Sequence, residues 1–177
     1  KSWGPTYLRF GLGLRSDLEG SSSFSLAGQA NVHEINELGA EWRTAVWLGD
    51  RTALDSEFYQ PLEGTGTLFV APRVVASLYE LQSVGAAADI TVYGAACDVG
   101  LQLGTCSQLR VGITRLRGEV DLSAILPLPG FDFDDGGLEA RWFVDTLDDA
   151  TFPTHGVRLA VDWVGGYEAL GADQEYQ

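Results

Sequence analysis

Residues 143–163, FVDTLDDATFPTHGVRLAVDW, contain two segments of alternating residues joined by an unusual connection. Apolar side chains recur at every second position on both sides of the connection, which is the pattern of β-strands with one apolar face. The connection itself carries aspartates, an aromatic residue, a proline and a glycine. We therefore expect a hairpin whose turn has a defined shape imposed by these residues.

Each turn residue has a physical reason to be there. Pro153 lacks a backbone donor and fixes φ where the chain leaves the loop. Gly156 permits a backbone conformation that a side chain would disfavour. Asp148 and Thr154 are expected to hydrogen-bond the loop backbone, as aspartate and threonine do in turns. Phe152 is expected to anchor the tip against a neighbouring strand. Together these residues predict a stable turn.

The same alternation recurs along the whole chain. In residues 6–18, the apolar positions are Leu8, Phe10, Leu12 and Leu14. The further segments that show it are residues 23–34, 37–50, 53–62, 66–80, 88–104, 108–118, 137–146 and 156–164. Within the sixth segment the apolar positions change parity, which predicts a β-bulge there. The strands are long for a globular protein and several connections are tight, which predicts an antiparallel meander.

The two faces of the predicted strands suit different surroundings. One face carries small residues mixed with charges of both signs, which suits a crowded polar interior. The other face is almost entirely apolar and includes Trp42, Trp142 and Trp163. Apolar-out, polar-in strands of about ten residues are typical of transmembrane barrels, and tryptophans sit in their interfacial belts. The pattern predicts an all-β, antiparallel up-and-down transmembrane β-barrel; a soluble β-sandwich or lipocalin-like barrel with the faces reversed is the alternative.

Composition excludes some partners. The 177 residues carry a formal net charge of −14, and Lys1 is the only lysine. Because nucleic-acid binding and polybasic membrane attachment both need a basic surface, we expect neither. No apolar run reaches the ~18 residues that a transmembrane helix needs, so we expect no transmembrane helix, and we expect no signal peptide within residues 1–177.

No cluster of residues predicts a cofactor or metal site. Cys97 and Cys106 would sit at different heights along one hairpin, so we expect no disulfide between them. His33 and His155 are far apart in sequence and lack a ligand cluster. Residues 131–137, FDFDDGG, lack the spacing of a calcium loop, and we expect a solvated acidic loop there.

The turn quoted above resembles a signature of the outer-membrane assembly-factor (BamA/TamA-type) barrels. In that superfamily an Asp-x-x-Asp tip followed by Phe-Pro-Thr-x-Gly joins two consecutive strands. The matching residues are Asp145, Asp148, Phe152, Pro153, Thr154 and Gly156. Residues 8–50 are similar to the first barrel strands of patatin-like outer-membrane phospholipases, and LQLGTCSQLRVGI, residues 101–113, also resembles that branch.

The resemblance implies an architecture and a location. Barrels of this superfamily have about sixteen strands, so residues 1–177 are expected to be a single segment, the N-terminal part of a barrel in the bacterial outer membrane. The implied partners are outer-membrane lipid and further barrel strands, supplied by the same chain or by another copy in a homo-oligomer.

The resemblance also implies a function for the parent protein. The barrel is expected to anchor an upstream patatin-like phospholipase domain, with translocation of that domain as a further role. The segment lacks the Gly-x-Ser-x-Gly elbow that such a lipase needs, so we expect no catalytic residues here. The alternatives are a protein-assembly or translocation barrel without an enzyme domain, and a soluble ligand-binding barrel.

Overall fold

A computed structural model of the chain describes residues 6–16, 22–49, 51–83, 86–122, 129–149 and 151–177. They form nine β-strands and one short 3₁₀-helix. The elements are β1 (Thr6–Ser16), β2 (Ser22–Val32), β3 (Glu41–Gly49), β4 (Arg51–Pro61), β5 (Leu68–Ser83), β6 (Ala86–Leu103), β7 (Ser107–Asp121), β8 (Phe131–Asp145), β9 (Arg158–Gly166) and the helix Glu168–Leu170. The nine strands predicted from alternation are all present.

Each strand pairs antiparallel with the next strand in sequence, so the sheet order is β1 to β9 without a crossover. This confirms the all-β, up-and-down fold class. Within the described residues, β1 and β9 are the edges of the sheet, and only an isolated bridge from Gly166 to Tyr176 extends the β9 side. No helix in the described ranges is long and apolar enough to cross a membrane.

One face of the sheet exposes its apolar side chains. A row of directly opposed residues on this face includes Phe10, Val46 and Ala76, which are contributed by β1, β3 and β5. Phe10 is 78% exposed and Leu14 is 79% exposed. The predicted apolar positions thus share one surface, which we call the outer face.

The opposite surface, which we call the inner face, is concave. Arg110 of β7 reaches Glu57 of β4 at 2.8 Å, although β5 and β6 lie between their strands. Side chains that bridge this separation require the sheet to curve toward the inner face. The buried apolar residues on this face are few and mostly small, apart from Phe69, so no second layer packs against the sheet in the described residues.

The predicted β-bulge in the sixth strand is absent. The β6–β7 register runs without interruption from Asp89 to Leu103. Ile90 and Val92 therefore lie on the inner face, whereas Val99 lies on the outer face. The prediction was wrong because β6, with 18 residues, extends beyond the apolar part of the outer face. Past that point the apolar side chains of this strand turn inward.

The predicted acidic loop at residues 131–137 is also absent, because β8 begins at Phe131 and includes that stretch. Asp134 lies opposite Arg117 of β7, and Phe133 lies opposite Gly118. The phenyl ring of Phe133 covers Gly118 so closely that a Cβ there would collide with it. Residues 131–137 have the composition of a loop, but pairing with β7 stabilises them as a strand.

Candidate functional site: the charged inner face and the aspartate turn

Charged side chains from six consecutive strands meet on the inner face. Strand alternation directs them to the same surface, and the curvature of the sheet brings them into contact. The members of this charged cluster are Glu41, Arg43, Asp55, Glu57, Arg73, Asp98, Arg110, Glu139 and Arg141.

Arg110 lies at the centre of the cluster. One of its guanidinium nitrogens, Nη1, is 2.8 Å from Glu57 Oε2 and 3.5 Å from Asp98 Oδ2. Arg141 extends the chain of ion pairs, because its Nη2 lies 3.6 Å from Asp98 Oδ2 and 3.0 Å from Glu139 Oε2. The pairs thus connect β4 to β8 in one network.

A second arm of the cluster reaches toward β2. Arg43 contacts Glu41 at 2.6 Å and Glu57 at 3.7 Å, and His33 Nδ1 lies 2.9 Å from Glu41 Oε1. Separately, Arg73 forms a two-pronged pair with Asp55 across β4 and β5, with Nε donating to Oδ1 at 3.0 Å. A two-pronged pair of this kind fixes the relative orientation of the two side chains in addition to neutralising their charges.

Asp98 is the most deeply buried member of the network, with 3% of its surface exposed. Its Oδ1 has no hydrogen-bond partner within the described residues. Gly112, directly opposite on β7, leaves the space that Asp98 occupies, and a Cβ there would collide with that same oxygen. Nearby, the guanidinium of Arg110 stacks over the ring of Phe69 with 5.2 Å to the centroid.

The cluster lines a polar groove of about 540 Å³ on the inner face. Arg73, Arg110 and Arg141 contribute to its wall, together with Gln108 and Phe143. Four arginines of the cluster line the groove, against two of its acids, Asp55 and Glu57, so positive groups outnumber negative groups along the wall. Among the described residues, no group of three or more His, Cys, Asp or Glu is arranged to hold a metal ion.

The six residues of the predicted turn motif come together between β8 and β9, away from the charged cluster. Asp148 accepts hydrogen bonds from the backbone N–H groups of Thr154 at 2.9 Å and His155 at 3.1 Å, and from the Thr154 hydroxyl at 2.6 Å. These donors, the Thr154 hydroxyl foremost, hold the pKa of Asp148 far below its usual range. The predicted role of Asp148 is confirmed; Thr154 instead donates to Asp148.

The flanks of the turn are held by further bonds. Asp145 accepts from the backbone N–H of Leu147 at 3.1 Å and lies 3.6 Å from Arg158. Gly156 has φ of +104°, a left-handed conformation that favours glycine, and a Cβ there would meet the carbonyl oxygen of Thr146. The predicted need for glycine is thus confirmed.

Phe152 does not anchor the tip. Its side chain is 80% exposed, so the prediction that it packs against a neighbouring strand was wrong. The tip is instead fixed by Asp149, which accepts from the backbone N–H groups of Phe152 at 2.8 Å and Thr151 at 2.7 Å. These two bonds, led by the one from Phe152, lower the pKa of Asp149. Hydrogen bonds from the backbone to Asp149 therefore hold the tip, in place of the expected apolar contact of Phe152.

Sequence reasoning recognised part of the charged cluster and missed its connections. Glu41, Arg43, Glu139 and Arg141 follow the alternation of their segments, which by itself predicts them on the polar face. Asp98 was missed as a member, because the assumed bulge disguised its parity. Nothing in the sequence around Arg110 or Glu57 indicates that they form a pair, because the pair depends on the curvature of the sheet from β4 to β7. Both cysteines are free; Cys97 lies on the outer face and Cys106 in the turn after β6.

The fold and the charged inner wall define this chain as part of an up-and-down β-barrel. No protein-family model matches the chain, and no curated protein sequence matches it either. Among solved structures it is similar to BamA from Haemophilus ducreyi lacking POTRA domains 1–3, with a TM-score of 0.75 and 14% sequence identity. The match covers 96% of this chain and 35% of that protein, so the chain spans about a third of the BamA structure. The fold is that of a BamA-type barrel.

Proposed function

We propose that this chain is the membrane-embedded N-terminal part of a bacterial outer-membrane β-barrel. The observation that supports the proposal best is the combination of an exposed apolar outer face with a charged, concave inner face in one sheet. In water, such a surface would leave many large apolar side chains exposed at once, which soluble monomers avoid. In a bilayer the same surface faces hydrocarbon.

The tryptophans of the outer face support a membrane boundary. The indole N–H of Trp42 donates to Ser56 at 2.8 Å, and that of Trp142 donates to Ser107 at 3.1 Å. Trp163 lies on the same face. Each of the two bonded rings keeps its polar group satisfied while its apolar body is exposed, which is the behaviour of aromatic residues at the headgroup level.

The unpaired edges support the view that further strands complete the barrel. An open sheet in lipid would expose backbone N–H and C=O groups, each at a cost of several kcal/mol. The remaining strands, up to about sixteen in total, are proposed to come from the same chain or from another copy. The likeness to BamA over a third of that protein's length is compatible with a piece of a larger molecule.

The test is detergent dependence of the parent protein. We expect the full-length protein to require detergent for solubility and to change its gel mobility on heating, as folded barrels do, while the 177 residues alone aggregate. If the 177 residues prove soluble and monomeric in plain buffer, the membrane assignment is overturned, and a soluble ligand-binding barrel becomes the better interpretation.

For the parent protein, the proposed role is to anchor, and also to translocate, an upstream patatin-like phospholipase domain, while this segment itself is non-catalytic. Support comes from the similarity of residues 8–50 to that branch. The alternative role, a protein-assembly barrel without an enzyme, is supported by the structural likeness to BamA. Phospholipase activity of the full-length protein that is lost on replacing an upstream serine nucleophile would support the first role. Absence of any upstream lipase domain would overturn it.

A further inference from the structure

Two arginines depart from the charge pattern of the strands. The registers place Arg9, Arg43, Arg73, Arg110 and Arg141 on the inner face. By contrast, Arg115 and Arg117 occupy successive outer-face positions of β7 and are the only arginines on the outer face of the described strands.

These two arginines lie where the apolar part of the outer face ends. Along β7, the outer positions run from Val111 and Ile113 directly to Arg115 and Arg117. Arg117 belongs to the same row of opposed residues as Phe10 of β1. That row starts within the apolar surface at β1 and ends beyond it at β7. The strands are therefore tilted relative to the apolar surface, and strands of transmembrane barrels are tilted by ~35–45°.

The arginine pair has more positive charge than its partner neutralises. Arg115 Nη2 lies 3.2 Å from Asp134 Oδ2, and Arg117 Nε lies 3.1 Å from Asp134 Oδ1. One carboxylate thus serves two guanidinium groups, whose side chains are 47% and 58% exposed. Arg115 also donates to the carbonyl oxygen of Gly171.

A shallow recess of about 520 Å³ lies beside the pair. Tyr93, Ala95, Arg115 and Arg117 all contribute to its lining. Tyr93 is directly opposite Arg117 across β6 and β7, and its half-exposed ring suits the boundary between headgroups and hydrocarbon. Asp134 also lines the recess, so its charged end carries two guanidinium groups and one carboxylate, and its other end is apolar.

We propose that this recess binds the phosphate of an anionic lipid headgroup. Guanidinium groups match phosphate oxygens in geometry and charge, and the adjoining apolar residues would contact the acyl chains of the same lipid. The acids Glu119 and Asp132, which face each other one row further out, disfavour an anion there and confine it to the arginine row. The inference rests on the proposed membrane location, since only a bilayer would present such a headgroup at this height.

The experiment uses the full-length protein in nanodiscs of phosphatidylcholine containing a minority of phosphatidylglycerol. Native mass spectrometry measures how strongly the anionic lipid is enriched among the lipids that stay bound. An arginine near a membrane surface contributes about a fivefold preference for anionic lipid. We therefore expect Arg115→Gln together with Arg117→Gln to lower the enrichment by more than fivefold, with Arg117→Gln alone intermediate.

The matched control is Arg158→Gln, which makes the same charge change at an exposed arginine that pairs with an acid on the inner-face side. It should leave the enrichment unchanged, as should the presence of inorganic phosphate in the buffer. Unchanged enrichment in the double variant would overturn the lipid site alone. So would displacement of lipid by inorganic phosphate at low concentration, since that outcome assigns the recess to free phosphate. Failure of the wild-type protein to insert into the nanodiscs would overturn both this site and the proposed membrane function.

Discussion

At the scale of single residues, Asp148 organises the turn between β8 and β9. Three donors converge on its carboxylate, two of them backbone N–H groups that would otherwise face solvent without a protein partner. The Asp148 carboxylate thereby serves as the hydrogen-bond acceptor for two backbone N–H groups of the turn. This explains how the described residues between 145 and 156 keep their shape although most of their side chains are exposed.

We predict that Asp148→Asn lowers the thermal stability of the folded protein at neutral pH. Because the pKa of Asp148 is depressed by folding, its carboxylate contributes stability above its unfolded pKa of about 3.9. That contribution is lost as the pH falls toward the folded pKa. The stability difference between wild type and variant should therefore shrink as the pH is lowered below about 4. A difference that stays constant across this range in thermal melts would contradict the assigned role.

Gly156 provides a second test at this scale. Replacing it with alanine forces a side chain into a left-handed conformation and against the carbonyl oxygen of Thr146. We expect Gly156→Ala to lower the free energy of unfolding by at least ~1 kcal/mol, measured by urea unfolding in vesicles. The matched control is Gly64→Ala, where a Cβ meets nothing within 4 Å. Equal effects of the two substitutions would show that the conformation of Gly156 is not what matters.

At the scale of elements, the charged cluster couples strands that are not neighbours in the sheet. Hydrogen bonds of the backbone already hold each strand to the next, but they do not determine how strongly the sheet curves. The pair between Arg110 and Glu57 spans two intervening strands. Ion pairs of this kind can therefore fix the curvature of the wall, while the backbone fixes its register.

We predict that Arg110→Gln destabilises the barrel by about 3 kcal/mol, because it leaves Glu57 and the buried Asp98 without their shared cation. Adding Glu57→Gln to this variant should recover part of the loss, and a double-mutant cycle in vesicles measures the coupling. As a comparison, Arg158→Gln removes an exposed partner 3.6 Å from Asp145 and should cost at most ~1 kcal/mol. Additive effects of the Arg110 and Glu57 changes would mean that the two strands are not coupled by this pair.

The elements also show where local reading of the sequence failed. The stretch FDFDDGG contains turn-forming residues, yet β7 supplies a partner for it: Arg117 for Asp134, and Gly118 beneath the ring of Phe133. The assumed bulge in β6 failed for a related reason. Apolar side chains identify the outer face only where that face is apolar. A strand such as β6 that extends past this region can carry its apolar residues on the inner face without any change in register.

At the scale of the whole molecule, the distribution of apolar surface supports the proposed membrane environment. The outer face exposes Leu, Val, Phe and Trp side chains over all nine strands, whereas charges of both signs collect on the inner face. A bilayer around the molecule and a polar interior satisfy both surfaces at once.

We predict opposite tolerances for a charge on the two faces of β7. Val111 lies on the outer face, 53% exposed, and Thr114 on the inner face of the same strand. Val111→Arg should destabilise the inserted full-length barrel by about 2–4 kcal/mol, as arginine does at the lipid-facing midplane of barrels. Thr114→Arg should have a smaller effect, because it joins a polar surface. Unfolding titrations in vesicles check both, and a larger loss for Thr114→Arg would reverse the assignment of the faces.

The sequence by itself determined the number of strands, their antiparallel order, the composition of each face and the glycine-dependent turn at residues 145–156. These features follow from alternation with a period of two and from the conformational limits of proline and glycine, which act between residues close together in the chain. The tertiary structure decided what depends on register and curvature. It brought Arg110 to Glu57, buried Asp98 against Gly112, left Phe152 exposed, and placed Arg115 and Arg117 at the border of the apolar band. The contact between Arg110 and Glu57 in particular could not be predicted locally, because it depends on the curvature of the sheet across two intervening strands.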